Sequence, residues 1–175
     1  MKSNAVAACV TACWLLSSSM VSAAGVPAAY QPIVIQPTGL PNLAEFDLRA
    51  AIERARDEKK SLFIYLGADD CPYCRRYEAF LDLHASELVP HFGGHLVVDL
   101  RGSLKVNAKS LNIRTNLGIL AYADFQRAIG DERARLLYPN VWLLDADLKP
   151  LMQMPAGSGT FQTVPEQLEI LRLVQ

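Results

Sequence analysis

Apolar and polar positions along this chain follow two rhythms. Leu62, Phe63, Ile64, Tyr65 and Leu66 form an unbroken apolar run, the pattern of a central strand covered on both faces. His95 to Leu100 repeats it, with Leu96, Val97 and Val98 as its apolar residues. A third strand is expected over Asn140–Asp145. Asp145 to Pro150 then reads as a hairpin turn, with Leu151–Met154 as the return strand. Elsewhere the apolar positions recur with helical spacing. Leu43–Lys59 predicts a helix with Leu48, Ile52 and Ala55 on one face, and Arg49, Glu53, Arg56 and Asp57 largely elsewhere. A second helix opens at Pro72, a residue suited to a first helical turn. It runs to about Leu83 or His84, with Tyr77, Phe80, Leu81 and Leu83 as its buried side. A last helix opens at Pro165 with Leu168, Leu171 and Val174 inward. Arg101 to Arg135 is the least regular stretch. Leu117–Ala121 and Tyr122–Leu137 carry helical patterning there, interrupted at Gly130-Asp131.

The N-terminus has a different character. Residues 1–24 read as a secretory signal peptide: Lys2, a short apolar core from Ala5 to Leu16, then a small-x-small cleavage site at Ser22-Ala23-Ala24. The apolar run is too short to favour a membrane span. Gly25 to Pro41 holds Pro27, Pro32, Pro37 and Pro41 and reads as an extended arm over 25–42. Ile33-Val34-Ile35 is a candidate short edge strand within it, limited by its flanking prolines. Residues 43–175 then form one domain. At 175 residues the chain has length for a real core. Its net charge of −1 gives no reason to invoke nucleic acid or an acidic membrane surface.

Cleavage also decides how the cysteines are read. Cys9 and Cys13 leave with the leader, so the mature chain keeps Cys71 and Cys74 of the four. One closely spaced pair in an exported protein is not a structural disulfide framework. Cys71-Pro72-Tyr73-Cys74 opens a helix, so Cys71 faces unpaired backbone N–H groups and the positive end of the helix dipole, which favour a thiolate. Cys74 lies one turn on, within reach of a disulfide. This assigns Cys71 as attacking thiolate and Cys74 as resolving thiol. Arg75 and Arg76 add positive charge; Asp69 and Asp70 oppose it, although Asp70 is also placed to cap the helix. Glu78, one turn after Cys74, is either a carboxylate that tunes the thiols and carries the proton of Cys74 or a surface charge paired with Arg75 or Arg76. The alternatives for the cysteines are half a zinc site or two core thiols. His84, His91 and His95 are read as surface or turn residues, with no metal site expected. Gly157-Ser158-Gly159 is read as a turn.

The segment resembles the active site of the thioredoxin superfamily, and CPYC is the pattern typical of glutaredoxins. The longer stretch AAIERARDEKKSLFIYLGADDCPYCRRYE is similar to periplasmic thioredoxin-like domains related to the C-terminal domain of the membrane reductant transporter DsbD. Those share the preceding helix, the Lys-rich turn, the strand, the Asp-containing loop and a Glu four residues after the second cysteine. The resemblance implies a thioredoxin-like α/β fold with a mixed sheet flanked by helices, and an insertion over about 101–137. It implies that Tyr138-Pro139 is a cis-proline step opposite the cysteines, the alternative being an ordinary trans proline. Pro72, Tyr73, Tyr138 and Pro139 would then line the substrate site. In activity it implies a periplasmic thiol–disulfide oxidoreductase acting on protein thiols and disulfides with a thiol redox partner, as a reductase, and with no cofactor beyond the Cys71–Cys74 pair. A non-catalytic module that binds copper, another soft metal or a partner is the rival reading. One departure stands out. The buried Asp that many thioredoxins carry beneath the disulfide is replaced by Tyr65.

Overall fold

A computed structural model describes residues 25–39, 43–131, 133, 135–153, 156–157 and 163–173. The expected leader, Met154, Ser158, Gly159 and Val174 lie outside the described residues. The main sheet has five strands in the order β1-β4-β3-β7-β8. These are β1 (Ile33–Ile35), β3 (Ser61–Ala68), β4 (His95–Gly102), β7 (Asn140–Leu144) and β8 (Pro150–Gln153). β1, β4 and β3 run parallel; β7 is antiparallel to β3, and β8 to β7. This is the mixed sheet the sequence predicts. The apolar runs sit where both faces are covered: β3 is buried from Leu62 to Ala68 and β4 along its whole length.

Helices cover both faces. α1 (Arg49–Glu58) lies in the crossover from β1 to β3, and α2 (Pro72–Leu83) links β3 to β4. The two crossovers move in opposite directions along the sheet, so right-handed connections put the helices on opposite faces. α2 shares its face with α3 (Ala85–Leu88) and α5 (Val164–Leu173), where the Tyr77 hydroxyl donates to Gln167 Oε1 at 2.8 Å. α4 (Tyr122–Ala128) packs on the other face, the Phe125 ring standing edge-on to Trp142 at 5.2 Å.

Three expectations are corrected. The helix expected over Leu43–Lys59 begins only at Arg49; Ala44–Asp47 is a strand, β2, with alternating burial. Ala44 and Phe46 point inward and Glu45 and Asp47 outward, a period of two hidden beneath the helical spacing of Leu48, Ile52 and Ala55. The stretch expected to be helical from Leu117 is first a hairpin. β5 (Leu111–Thr115) pairs with β2 and with β6 (Gly118–Ala121), giving a second sheet in the order β2-β5-β6. Only Tyr122–Ala128 is helical, and it stops before Gly130, whose φ of 73° lies in the left-handed region. Leu83, expected to be buried, is 78% exposed. The Pro-rich arm also does more than link, because its β1 completes the edge of the main sheet beside β4. Among the described residues no helix is long and apolar enough to cross a membrane.

Phe46 is fully buried and ties the second sheet to the common core. Phe46→Ala should cost about 3–5 kcal/mol of stability, read as a lowered denaturant midpoint. A loss below about 1 kcal/mol would mean that the small sheet folds apart from the core.

Candidate active site

The cysteines sit where β3 ends and α2 begins. Cys71 is the N-cap residue of α2, in extended conformation, and its sulfur accepts from the Cys74 backbone N–H at 3.1 Å. The sulfur thus takes the place of a capping oxygen and receives one of the helix's unpaired donors. Asp70, considered as a cap, has another role. Its carboxylate accepts from Leu104 N–H at 2.8 Å and from the Ser103 hydroxyl at 3.1 Å, fastening the loop after β4 to the cysteine loop. The Leu104 N–H holds the Asp70 carboxyl below its ordinary range.

Both thiols are buried, Cys71 at 2% exposure and Cys74 at 0%. Desolvation, followed by the hydrogen bond with Cys71, pushes the Cys74 thiol well above its ordinary pKa. Cys74 is therefore a protonated thiol at neutral pH, and it needs a base before it can attack.

Beneath Cys74 lies a cluster of buried polar side chains. In the parallel register of β3 and β4, Tyr65 stands beside Asp99 and Gly67 beside Arg101, all on the face under α2. A β-carbon at Gly67 would come within 2.5 Å of Tyr65 Cε1 and 2.9 Å of its hydroxyl oxygen, so glycine leaves the room in which that ring lies. The ring extends towards α2. Its hydroxyl donates to Glu78 Oε1 at 2.9 Å and lies near enough to the Cys74 thiol to interact with it electrostatically. Burial drives the Tyr65 hydroxyl far above its ordinary pKa, so it stays neutral. Arg101 reaches Glu78 Oε1 at 3.5 Å and Asp99 Oδ2 at 3.4 Å through Nη1, and Asp69 Oδ1 at 2.6 Å through Nη2. Burial raises the Asp99 carboxyl to about 6, against the lowering effect of Arg101.

Of the two positions considered for Glu78, the buried one is observed; its partners are Tyr65 and Arg101, not Arg75 or Arg76. Arg75 and Arg76 are exposed, and the Arg76 guanidinium lies 5.8 Å from the centre of the Tyr73 ring. Pro72 is exposed and Tyr73 half-exposed. The Tyr138–Pro139 peptide bond is cis. The Tyr138 ring packs over the end of β4, where a β-carbon at Gly102 would stand 3.0 Å from its hydroxyl oxygen. Desolvation raises the Tyr138 hydroxyl, with Tyr122 and both cysteines among the further contributors. Of the three histidines, His95 is buried rather than at the surface, with Nδ1 2.6 Å from Ser61 Oγ. Among the described residues no group of three metal-ligating side chains comes together.

Asp99 and Arg101 were missed by the sequence reading. The signal was present: two charges two residues apart within an apolar run must be buried on one face, and buried charges need partners.

Comparison with known families fits this geometry. A family model described as thioredoxin-like matches residues 42–90, which span β2, α1, β3, the cysteine pair and α2. The fold is thioredoxin-like. The match supports the thioredoxin superfamily for this segment and ends before β4 and Pro139, so Asp99 and Arg101 lie beyond it. Searches of curated proteins and of solved structures returned no match.

Arg101→Leu would leave Glu78 and Asp99 buried without their shared cation. It should cost about 3–5 kcal/mol at pH 7. The deficit should shrink towards pH 4 as the Asp99 carboxylate takes up its proton, measured by urea unfolding across that range. A deficit independent of pH would mean that Arg101 acts by packing alone.

Proposed function

We propose that this chain is an exported thiol–disulfide oxidoreductase that reduces disulfides of protein substrates in the periplasm. The observation that carries the reading is the Cys71 sulfur at the head of α2, with Cys74 behind it against a neutral Tyr65 and a buried Glu78. The thioredoxin-like fold and family match support it. The direction rests on the resemblance to DsbD-type domains and on charge. Strong oxidants of this kind stabilise their reduced form. Here carboxylates outnumber the one buried guanidinium beneath the pair, which gives a thiolate little support.

In the reductive direction the Cys71 thiolate attacks one sulfur of a substrate disulfide. That S–S bond breaks and a Cys71–substrate disulfide forms; the second substrate sulfur leaves as a thiolate and is protonated. Cys74 then loses its proton and attacks the Cys71 sulfur. The Cys71–Cys74 disulfide forms and the substrate's remaining sulfur leaves. Two electrons have passed to the substrate, and an external dithiol restores the pair. Tyr65 carries the proton of Cys74: its oxygen takes the thiol proton while its own hydrogen passes to Glu78. Tyr65 ends neutral and Glu78 protonated. Tyr73 and the cis Tyr138–Pro139 step form the substrate-facing surface, where an extended segment can pair with backbone groups.

Two experiments test this. Cys74→Ser should trap mixed disulfides through Cys71, and the wild-type pair should equilibrate with glutathione at a potential below about −200 mV. A chain that forms no reversible disulfide is not this enzyme. Tyr65→Phe keeps the ring and removes the relay. It should slow resolution of a preformed Cys71 mixed disulfide about 10-fold or more at pH 7, with the rate recovering at alkaline pH. An unchanged rate and pH profile would remove Tyr65 from the mechanism.

A further inference from the structure

The arm is built onto the cluster beneath the cysteines. The Tyr30 hydroxyl donates to Leu81 O at 2.9 Å, Ile33–Ile35 pair with Val98–Leu100, and Val26 N–H donates to Asp99 Oδ2 at 3.0 Å. Gly25 is buried against the same two side chains. A β-carbon there would stand 2.4 Å from Asp99 Oδ2 and 2.3 Å from Arg101 Nη1. The charges in this place do not balance. Glu78 and Asp99, both buried, share Arg101, whose other nitrogen is engaged by the exposed carboxylate of Asp69. Asp99 is 1% exposed, and among the described residues its Oδ1 has no hydrogen-bond partner. The pocket around Gly25 lacks one positive charge and one donor. Ser22-Ala23-Ala24 stands directly before it in sequence.

We propose that hydrolysis of the Ala24–Gly25 peptide bond by an export signal peptidase creates a structural ammonium at Gly25, held in an ion pair by the buried Asp99 carboxylate. The inference rests on reading residues 1–24 as an export signal. Water supplies one oxygen of the new Ala24 carboxylate and both hydrogens that convert the Gly25 N–H into an ammonium, and no electrons move. The amide nitrogen of Gly25 has one N–H, whereas the ammonium has three and carries a full charge. It brings the buried set of Glu78, Asp99 and Arg101 from net −1 to neutral. With Asp99 satisfied from the arm, Arg101 is left to Glu78, the proton acceptor of the proposed relay. The charged groups against Gly25 are Asp99 and Arg101 from β4; Glu78 from α2 and Asp69 from the loop after β3 act on it through their contacts with Arg101. Repulsion from Arg101 seats it on the Asp99 side.

The test uses the full chain, exported by a bacterial host and recovered from the periplasm. Its intact mass should place the N-terminus at Gly25. The Gly25 Cα chemical shift, followed against pH, should titrate at least about one unit above the ordinary α-amino range of 7.7–8.0, and Asp99→Asn should return it to that range. A variant with one Ala inserted before Gly25 gives a second reading. It should unfold at a lower temperature than the mature protein at pH 7. A raised amine pKa stabilises below the ordinary value, and this contribution is lost as pH rises through the folded one. The difference should therefore vanish above the Gly25 midpoint. A mature chain that starts elsewhere, an ordinary midpoint in the wild type, or equal stability of the two chains at pH 7 would each overturn the proposal. Reversible disulfide formation by Cys71 and Cys74 is scored in the same samples, so failure of the redox reading is separable from failure of this pairing.

Discussion

Arg101 is the constraint on which the rest of this structure turns. A guanidinium at 6% exposure is tolerable only where anions surround it, and three carboxylates from three elements do so. Asp99 is its neighbour on β4, Glu78 comes from α2, and Asp69 comes from the loop that leads to Cys71. Each contact fixes a different part of the site. The Asp69 contact holds the loop before the cysteines, and the Glu78 contact holds α2 with Glu78 turned inward, one turn after Cys74. The Asp99 contact faces the arm. Loss of Arg101 would leave Glu78 and Asp99 without their shared cation in a place water does not reach.

The geometry works because side chains are missing where they would obstruct. Gly67 lets the Tyr65 ring lie along its own strand instead of standing away from it. Gly102 admits the Tyr138 ring over the end of β4, beside the cis step. Both lie at the carboxyl ends of parallel strands, the end of the sheet where α2 starts and the Cys71 sulfur receives its helix N–H. Cys71 and Cys74 are separated in chemistry by the same arrangement. One caps the helix at its positive end. The other is desolvated above a neutral phenol, so it remains a thiol until a base is offered.

Much of this was legible in sequence. The unbroken apolar run of β3, the cysteine spacing and Pro72 located the site, and the strand after Pro139 closed the sheet. What escaped had physical reasons. β2 is four residues long and runs directly into α1, so its period of two merged with a helical one. β5 carries the same alternation, Leu111, Ile113 and Thr115 inward, but a two-residue turn joins it to a β6 whose Leu117 flank and Ile119 are exposed. Without an inward apolar stripe, β6 gave no strand signal. Tyr65 stands where a buried Asp is usual in thioredoxins. That its hydroxyl would reach Glu78 depends on Gly67, two residues on, and on the face of α2 that turns inward. Asp99 and Arg101 are visible as charges inside a strand, yet the further partners of Arg101 lie 23 and 32 residues away in sequence, at Glu78 and Asp69, and only the fold brings them together.

The substitution at Tyr65 explains why such a cluster exists. A carboxylate beneath the disulfide would be acceptor and store of the Cys74 proton in one residue. A phenol that burial keeps neutral can pass a proton but cannot hold it. In the proposed relay the store lies one hydrogen bond further in, at Glu78, and a carboxylate that deep needs a cation. Arg101 supplies it from β4, but β4 also brings Asp99, which competes for the same guanidinium nitrogen. The arm reaches the same carboxylate, Val26 N–H donating to the Asp99 Oδ2 that also faces Arg101. In the proposed scheme, the same logic that moves the proton acceptor inward makes the charge carried by the arm's first residues matter to the cysteines.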